Sequence, residues 1–159
     1  MSHPREEIEA AVAAYVDVRE RIERGEADWP DLADLFTDDA IYNDPAWGRI
    51  EGADEIRTFM RESMVGLDDW RFPIEFTAID GDHVVIKWTQ IIPGTRPDGT
   101  PAVQSGYSHL LYAGDGKFSY EEDLLNMTHV LEDLAATGWA PVDGFNLPPA
   151  NPDRDWSHP

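Results

Sequence analysis

The hydrophobic repeat of this chain changes once, near Trp70, and that change limits the folds open to it. Before it, Ile8, Val12, Tyr15, Val18 and Ile22 recur at steps of three or four with Arg and Glu between them, the repeat of one helical face. Gly25 ends this helix. Trp29-Pro30 with Leu32, Leu35 and Phe36 reads as a short second helix whose first turn carries Asp28 and Asp31, charges suited to the helix dipole. Gly52 precedes a third helix with Ile56, Phe59, Met60 and Met64 on its apolar side. After Trp70 the repeat is that of a strand: Phe72, Ile74, Phe76 and Ala78 alternate with more polar neighbours, followed by Val84 to Trp88, Tyr107 to Tyr112 and Lys117 to Leu125. Asp80-Gly81-Asp82, Pro97-Asp98-Gly99 and Gly114-Asp115-Gly116 separate these runs with the chemistry of tight turns.

Helical periodicity followed by strand periodicity predicts an α+β fold. The expected architecture is a cone-shaped, curved antiparallel sheet of four long strands wrapped around three N-terminal helices. A short hairpin, Ala40 to Tyr42 with Arg49 to Glu51, joins it, and a short C-terminal helix runs from Asn126 to Thr137 and stops at Gly138. Residues 5–138 form one domain on this reading. Residues 139–155 are a proline-rich tail whose Trp139, Phe145 and Leu147 call for packing, across the cavity mouth or onto a partner. Trp156 to Pro159 match the start of a streptavidin-affinity tag and are set aside.

Charge narrows the partners. With 32 Asp and Glu against 12 Lys and Arg, the formal charge of -20 repels phosphate backbones and anionic lipid. Nucleic acid and membranes are therefore not expected as partners. The chain has no cysteine, which excludes a disulfide framework and thiolate metal sites and fits a reducing, cytoplasmic setting. No basic leader or long apolar run is present. Neither a glycine-rich phosphate loop nor a His-Glu-x-x-His spacing occurs, so no cofactor and no metal is expected.

What remains is acid/base chemistry on a small hydrophobic or aromatic molecule held in the cone. The stretch Asp38-Asp39-Ala40-Ile41-Tyr42-Asn43-Asp44-Pro45-Ala46-Trp47-Gly48 reads either as an acidic surface turn, with Asp44 starting an Asx turn and facing water, or as a loop that turns one carboxylate, such as Asp44, into a pocket. In Ser119-Tyr120-Glu121-Glu122-Asp123, alternation puts Ser119, Glu121, Asp123 and Leu125 on one face. Which face lines the cavity is open, because a bulge would reverse the choice. His109 reads either as an acid/base group or as an interface residue on the other sheet face.

The order of elements, with LADLFTDDAIYNDPAWGRIEGADEIRTFMRE and YAGDGKFSYEEDLLNM, resembles the SnoaL-like branch of the nuclear transport factor 2-like superfamily over most of residues 6–138. Similarity to the ketosteroid isomerases of that superfamily implies that Asp44 is the general base and Tyr15 an oxyanion donor, with Ser108 where a second donor would stand. Of the Asp, Arg, Asp set of the similar limonene-epoxide hydrolase only one Asp is matched, by Asp123; Trp88 and Gln90 stand where the Arg and the other Asp would be, so epoxide hydrolysis is not expected. SnoaL-like cyclases also carry an acid near Asp123. The resemblance thus implies catalytic roles for Asp44, Asp123 and Tyr15, and substrate contacts from Tyr42, Trp47, Trp88, Gln90 and Ser108. The expected activity is that of a lyase, dehydratase, isomerase or cyclase; the alternative is a non-catalytic binding domain of the same fold. A homodimer through the outer sheet face is expected, with Tyr107, His109, Phe118 and Tyr120 covering that face.

Overall fold

The computed structural model describes residues 2–159. Helix α1, Arg5–Glu23, buries Ile8, Ala11, Val12, Tyr15 and Val18 as its period demands, and adds Arg19 to the buried set. A 3-10 helix follows at Trp29–Leu35, where Asp28 and Asp31 cap each other's backbone reciprocally. Strands β1, Phe36–Asp44, and β2, Gly48–Glu51, form the short hairpin, and α2, Ala53–Ser63, begins after Gly52. The second half supplies β3, Ile74–Asp80, β4, His83–Thr95, β5, Pro101–Gly114, and β6, Lys117–Leu125, before α3, Met127–Thr137.

All strands join one six-stranded sheet in the order β2-β1-β6-β5-β4-β3. The meander from β3 to β6 is antiparallel as expected. The hairpin changes the sheet's character, because β1 runs parallel to β6. The sheet is therefore mixed rather than wholly antiparallel: α2 and the loop after it carry the chain from the β2 edge to the opposite edge, so β1 enters beside β6 in the same direction.

The concave face carries Val84, Ile86, Trp88 and Ile92 of β4 and Ala102, Leu110 and Tyr112 of β5, all buried. Gly106 pairs with Trp88 across these strands. A Cβ at Gly106 would lie 2.4 Å from the Trp88 ring, so the glycine lets the indole lie flat over β5.

Two bulges correct the simple alternation. The register of β3 shifts between Ile74 and Phe76, so Phe76 and Ala78 turn outward and Phe76 is 53% exposed. In β6, Tyr120 pairs with Leu111 while Phe118 pairs with Tyr112, leaving Ser119 as the extra residue. Phe118 consequently faces the core, fully buried against Tyr15 and Tyr112, and is not part of the outer face expected for it.

Helix α3 is capped by the Asn126 side chain and by Gly138 in the left-handed conformation. It is anchored by Asp133, which takes Arg96 on both oxygens at 2.6 and 2.8 Å and Gln104 at 2.7 Å. The Arg96 guanidinium holds the Asp133 carboxyl down to about 2. Beyond α3 the tail folds back: Trp139 packs edge-on against Trp70 and Phe145, and Asn146 Nδ2 donates to Glu62 O at 2.9 Å. Leu147, expected to pack with them, is 76% exposed, since the Pro-rich backbone points it outward while its neighbours dock. The end of the 139–155 tail passes Gly48, where Arg49 N–H donates to Asp153 O at 2.9 Å, and the residues set aside on sequence grounds bring His158 against Tyr120 on the outer face. Among the described residues no helix is long and apolar enough to cross a membrane.

Candidate active site

Between the concave sheet face and the helices lies a cavity of about 210 Å³. Aromatic rings dominate its wall, including Trp29, Tyr42, Trp47, Phe59, Trp70 and Trp88. Phe145, Asn146 and Pro148 of the tail close part of its mouth. Few polar side chains reach it: Tyr15, Arg19, Asp44, Ser63, Gln90, Asp123 and Asn146.

Asp44 ends β1, where Pro45 stops the ladder and turns the chain. Its Oδ1 accepts the N–H groups of Ala46 and Trp47, each at 2.8 Å, while the carboxyl lines the cavity. The two sequence alternatives for Asp44 thus coincide: the Asx turn is the device that aims the carboxyl inward. Burial pushes its pKa up to about 6, the charge of Asp123 adds to the rise, and the two N–H bonds oppose it.

Asp123 comes from β6, with Ser108 of β5 directly opposite. The Ser108 hydroxyl donates to its Oδ1 at 2.6 Å and the Tyr42 hydroxyl donates to its Oδ2. Burial raises the Asp123 carboxyl, while these donors, Glu121 and the Arg19 charge pull it down. Ser108 also accepts Trp88 Nε1–H at 2.9 Å; it is buried behind Asp123 and does not line the cavity. Gln90 does, with its amide donating to Gln104 Oε1 at 2.8 Å. That contact ties the cavity wall to the Asp133 anchor.

Two buried residues in and beside the candidate site escaped the sequence reading. Glu121, buried on the same face as Asp123, accepts the Tyr15 hydroxyl on Oε1 at 2.7 Å, and its Oε2 has no donor. Burial and the neighbouring Asp123 charge hold Glu121 well above the carboxylate range, so of the two carboxyls Glu121 is the one that retains a proton. Its signal was present, because alternation already grouped Glu121 with Asp123. Arg19, one turn after Tyr15, is buried between Trp29 and Trp88, whose ring centroids lie 5.1 and 5.8 Å from its guanidinium carbon. Only a wider reading of the apolar face of α1 would have found it.

Tyr15 lines the cavity, yet its hydroxyl proton is engaged by Glu121; burial pushes that hydroxyl well above its ordinary range. His109 lies on the far side of the sheet, 2.9 Å from His83 between ring nitrogens. Burial and the neighbouring His83 pull the His109 pKa down.

Residues 9–121 match the model of a SnoaL-like domain. No curated protein sequence matches the chain. Among solved structures, a protein of Jannaschia sp. CCS1 assigned as a SnoaL-like polyketide cyclase superposes with a TM-score of 0.63 at 16% identity, covering 89% of this chain and 99% of that one. TerC, co-crystallised with polyporic acid, superposes at 0.60 with 22% identity over 81% and 98%. A hypothetical protein with a ketosteroid isomerase-like fold from Catenulispora acidiphila DSM 44928, in complex with trimethylamine, gives 0.61 and 24% over 82% and 97%. At these identities the structures speak for the fold, and the sequence match over most of the domain speaks for the family: this chain belongs to the SnoaL-like family, with the cone-shaped fold of the nuclear transport factor 2-like proteins.

Proposed function

We propose that the protein is a cofactor-independent enzyme that moves a proton on a hydrophobic, ring-bearing small molecule, as an isomerase, lyase, dehydratase or cyclase. The observation that carries this reading is that Asp44 and Asp123, on neighbouring strands, line one aromatic cavity. A pure binding pocket has no use for two carboxyls in an apolar wall, since each costs desolvation. With its pKa raised to about 6, Asp44 is ionised at neutral pH yet basic enough to take a proton from an activated carbon. Asp123, which lines the cavity beside the buried Glu121, is the group through which a proton is returned. Tyr42 and Ser108 hold Asp123, and Tyr15 holds Glu121, so the order of these groups is built in before substrate arrives.

The cavity volume bounds the substrate. Roughly 150 Å³ accommodates a benzene, so about 210 Å³ suits one to two fused rings without tail movement.

The test is deuterium exchange at the activated C–H positions of small bicyclic ketones in D₂O, followed by NMR. Protein-dependent exchange that disappears in Asp44→Asn, with ligand binding retained, is the expected result. Tight binding without any exchange would replace this reading with that of a ligand-binding domain.

A further inference from the structure

Asp44 lines the cavity without a counter-ion. Its Oδ1 is occupied by the N–H groups of Ala46 and Trp47. Its Oδ2 accepts no hydrogen bond among the described residues and is not sealed off from solvent, so it is the oxygen left for whatever fills the cavity. Arg19 is the one cationic side chain in the described wall, and its charge bears on Asp123, Glu121 and Tyr15. Because Glu121 keeps its proton, Arg19 offsets Asp123, and the charge of Asp44 is left over. A carboxylate set in an apolar wall is ordinarily paired; here the chain supplies no partner.

The rings beside Asp44 are of the kind that attracts a cation. Tyr42 precedes it by two residues on β1, and Trp47 follows it in the turn. Phe59 of α2 touches both, with ring centroids 5.2 Å from Tyr42 and 5.9 Å from Trp47. All three line the cavity. Their planes are tilted by 52° and 64°, so the rings make a corner rather than a stack. The negative faces of the rings are therefore not spent on one another.

We propose that the Asp44 end of the cavity is a site for a cationic ligand, an alkylated ammonium attached to a hydrophobic ring, with the ammonium seated among Tyr42, Trp47 and Phe59 against Asp44 Oδ2. This goes beyond the proton-transfer reading and stands whether or not the protein moves a proton. Charge and surface chemistry decide against the other ligand classes. An anion would meet Asp44 and Asp123, two negative charges against the single positive charge of Arg19. A neutral alcohol or amide can donate to Oδ2, but it leaves the charge of Asp44 unbalanced and gains nothing from the ring faces. An alkylated ammonium answers both, because its charge is spread over carbon-bound hydrogens that pack against aromatic rings while facing the carboxylate. The remaining wall, with Trp29, Trp70 and Trp88, takes the ligand's ring. The formal charge of -20 on the chain also draws cations toward the protein before they enter.

The experiment compares phenyltrimethylammonium with tert-butylbenzene, a molecule of the same shape without the charge, by tryptophan fluorescence titration of the full chain. The expected preference for the cation is about tenfold or more. Asp44→Asn, which keeps the shape of the side chain and removes its charge, abolishes most of that preference and leaves the hydrocarbon affinity unchanged. Phe59→Leu, which removes one ring of the corner, lowers the preference about threefold. If Asp44→Asn does not fold by circular dichroism, Phe59→Leu decides. Equal or weaker binding of the cation by the parent protein overturns the proposal, and so does an undiminished preference in a folded variant of either residue. The deuterium-exchange test reports separately on catalysis. A parent protein that prefers the cation but exchanges no ketone keeps this site and loses the catalytic reading; exchange without the preference does the reverse.

Discussion

Tyr15 and Glu121, 106 positions apart in the chain, are joined by a buried hydrogen bond of 2.7 Å in which the tyrosine hydroxyl is the donor. Tyr15→Phe leaves the Glu121 Oε1 without a partner, and the expected cost is about 1–3 kcal/mol of stability. Glu121→Gln keeps the acceptor for Tyr15 and supplies an N–H where the protonated acid has its O–H. It should stay within about 1 kcal/mol of the parent. Urea melts of the two variants make the comparison; equal losses would mean that Glu121 is ionised.

Asp44→Asn should lower proton-transfer turnover by at least ~100-fold with the fold intact. The parent's rate should climb through an apparent midpoint near the Asp44 pKa of about 6, because the base must be ionised to act. Loss of that rising limb in the variant is the diagnostic measurement; a limb that survives belongs to another group.

The same residue makes a stability prediction with a definite sign. The folded-state pKa of Asp44 lies above its ordinary value of 3.8, so the native state binds this proton more tightly than the unfolded chain does. Its contribution to native stability therefore falls as pH rises from about 4 to about 6, by up to about 3 kcal/mol. Asp44→Asn escapes that loss. Denaturant melts should find the variant more stable than the parent at pH 8, by a margin that shrinks at pH 5; a margin that grows on acidification would contradict the assigned shift.

Phe76, Lys87, Tyr107 and Leu124 are consecutive cross-strand partners and form one row on the outer sheet face. Phe76, Tyr107 and Leu124 are 53%, 42% and 61% exposed, an apolar stripe suited to a second copy of the chain. Light scattering should give a dimer at micromolar concentration, and Leu124→Glu with Tyr107→Asp should give a monomer. A parent protein that is monomeric throughout would rule the interface out.

Truncation after Gly138 removes Phe145, Asn146 and Pro148 from the cavity mouth. The domain should still fold, with a ligand off-rate about tenfold higher, since the buried tail rings contribute about 1.5–3 kcal/mol each before their ordering cost is subtracted. Stopped-flow release of a fluorescent aromatic ligand reads this directly. An unchanged off-rate would make the tail a passive strap.

Much of the fold could be read from local patterns. The repeat of three and four on α1 and the turn sequences between the long strands were enough to draw the helices and the meander, because these features depend on neighbours in sequence. The parallel pairing of β1 with β6 could not be read, since nothing local to either strand specifies its partner. Ser119 escaped for a related reason: a bulge is a compromise between two strands, and its consequence, Phe118 turning into the core, is invisible in β6 alone. At the site, the Asp44-Pro45 turn signalled its own geometry. Arg19 did not, because an arginine on a helix ordinarily faces water, and only the tryptophans converging on it from distant segments keep it inside.

The parallel pair β1–β6 also sets the order in which the protein can become competent. Tyr42 and Asp123, 81 positions apart, meet only when this pair closes, and such long-range closure is slow compared with forming the β4–β5 hairpin. Ligand capacity should thus emerge late in refolding, after most backbone amides of the meander are already protected from exchange. The same geometry makes the chain divisible: a break at Gly81-Asp82 would leave Tyr15, Tyr42 and Asp44 on one fragment and Ser108, Glu121 and Asp123 on the other. Neither piece alone would hold a complete proton path, so recovery of activity on mixing would report the pairing of these two strands.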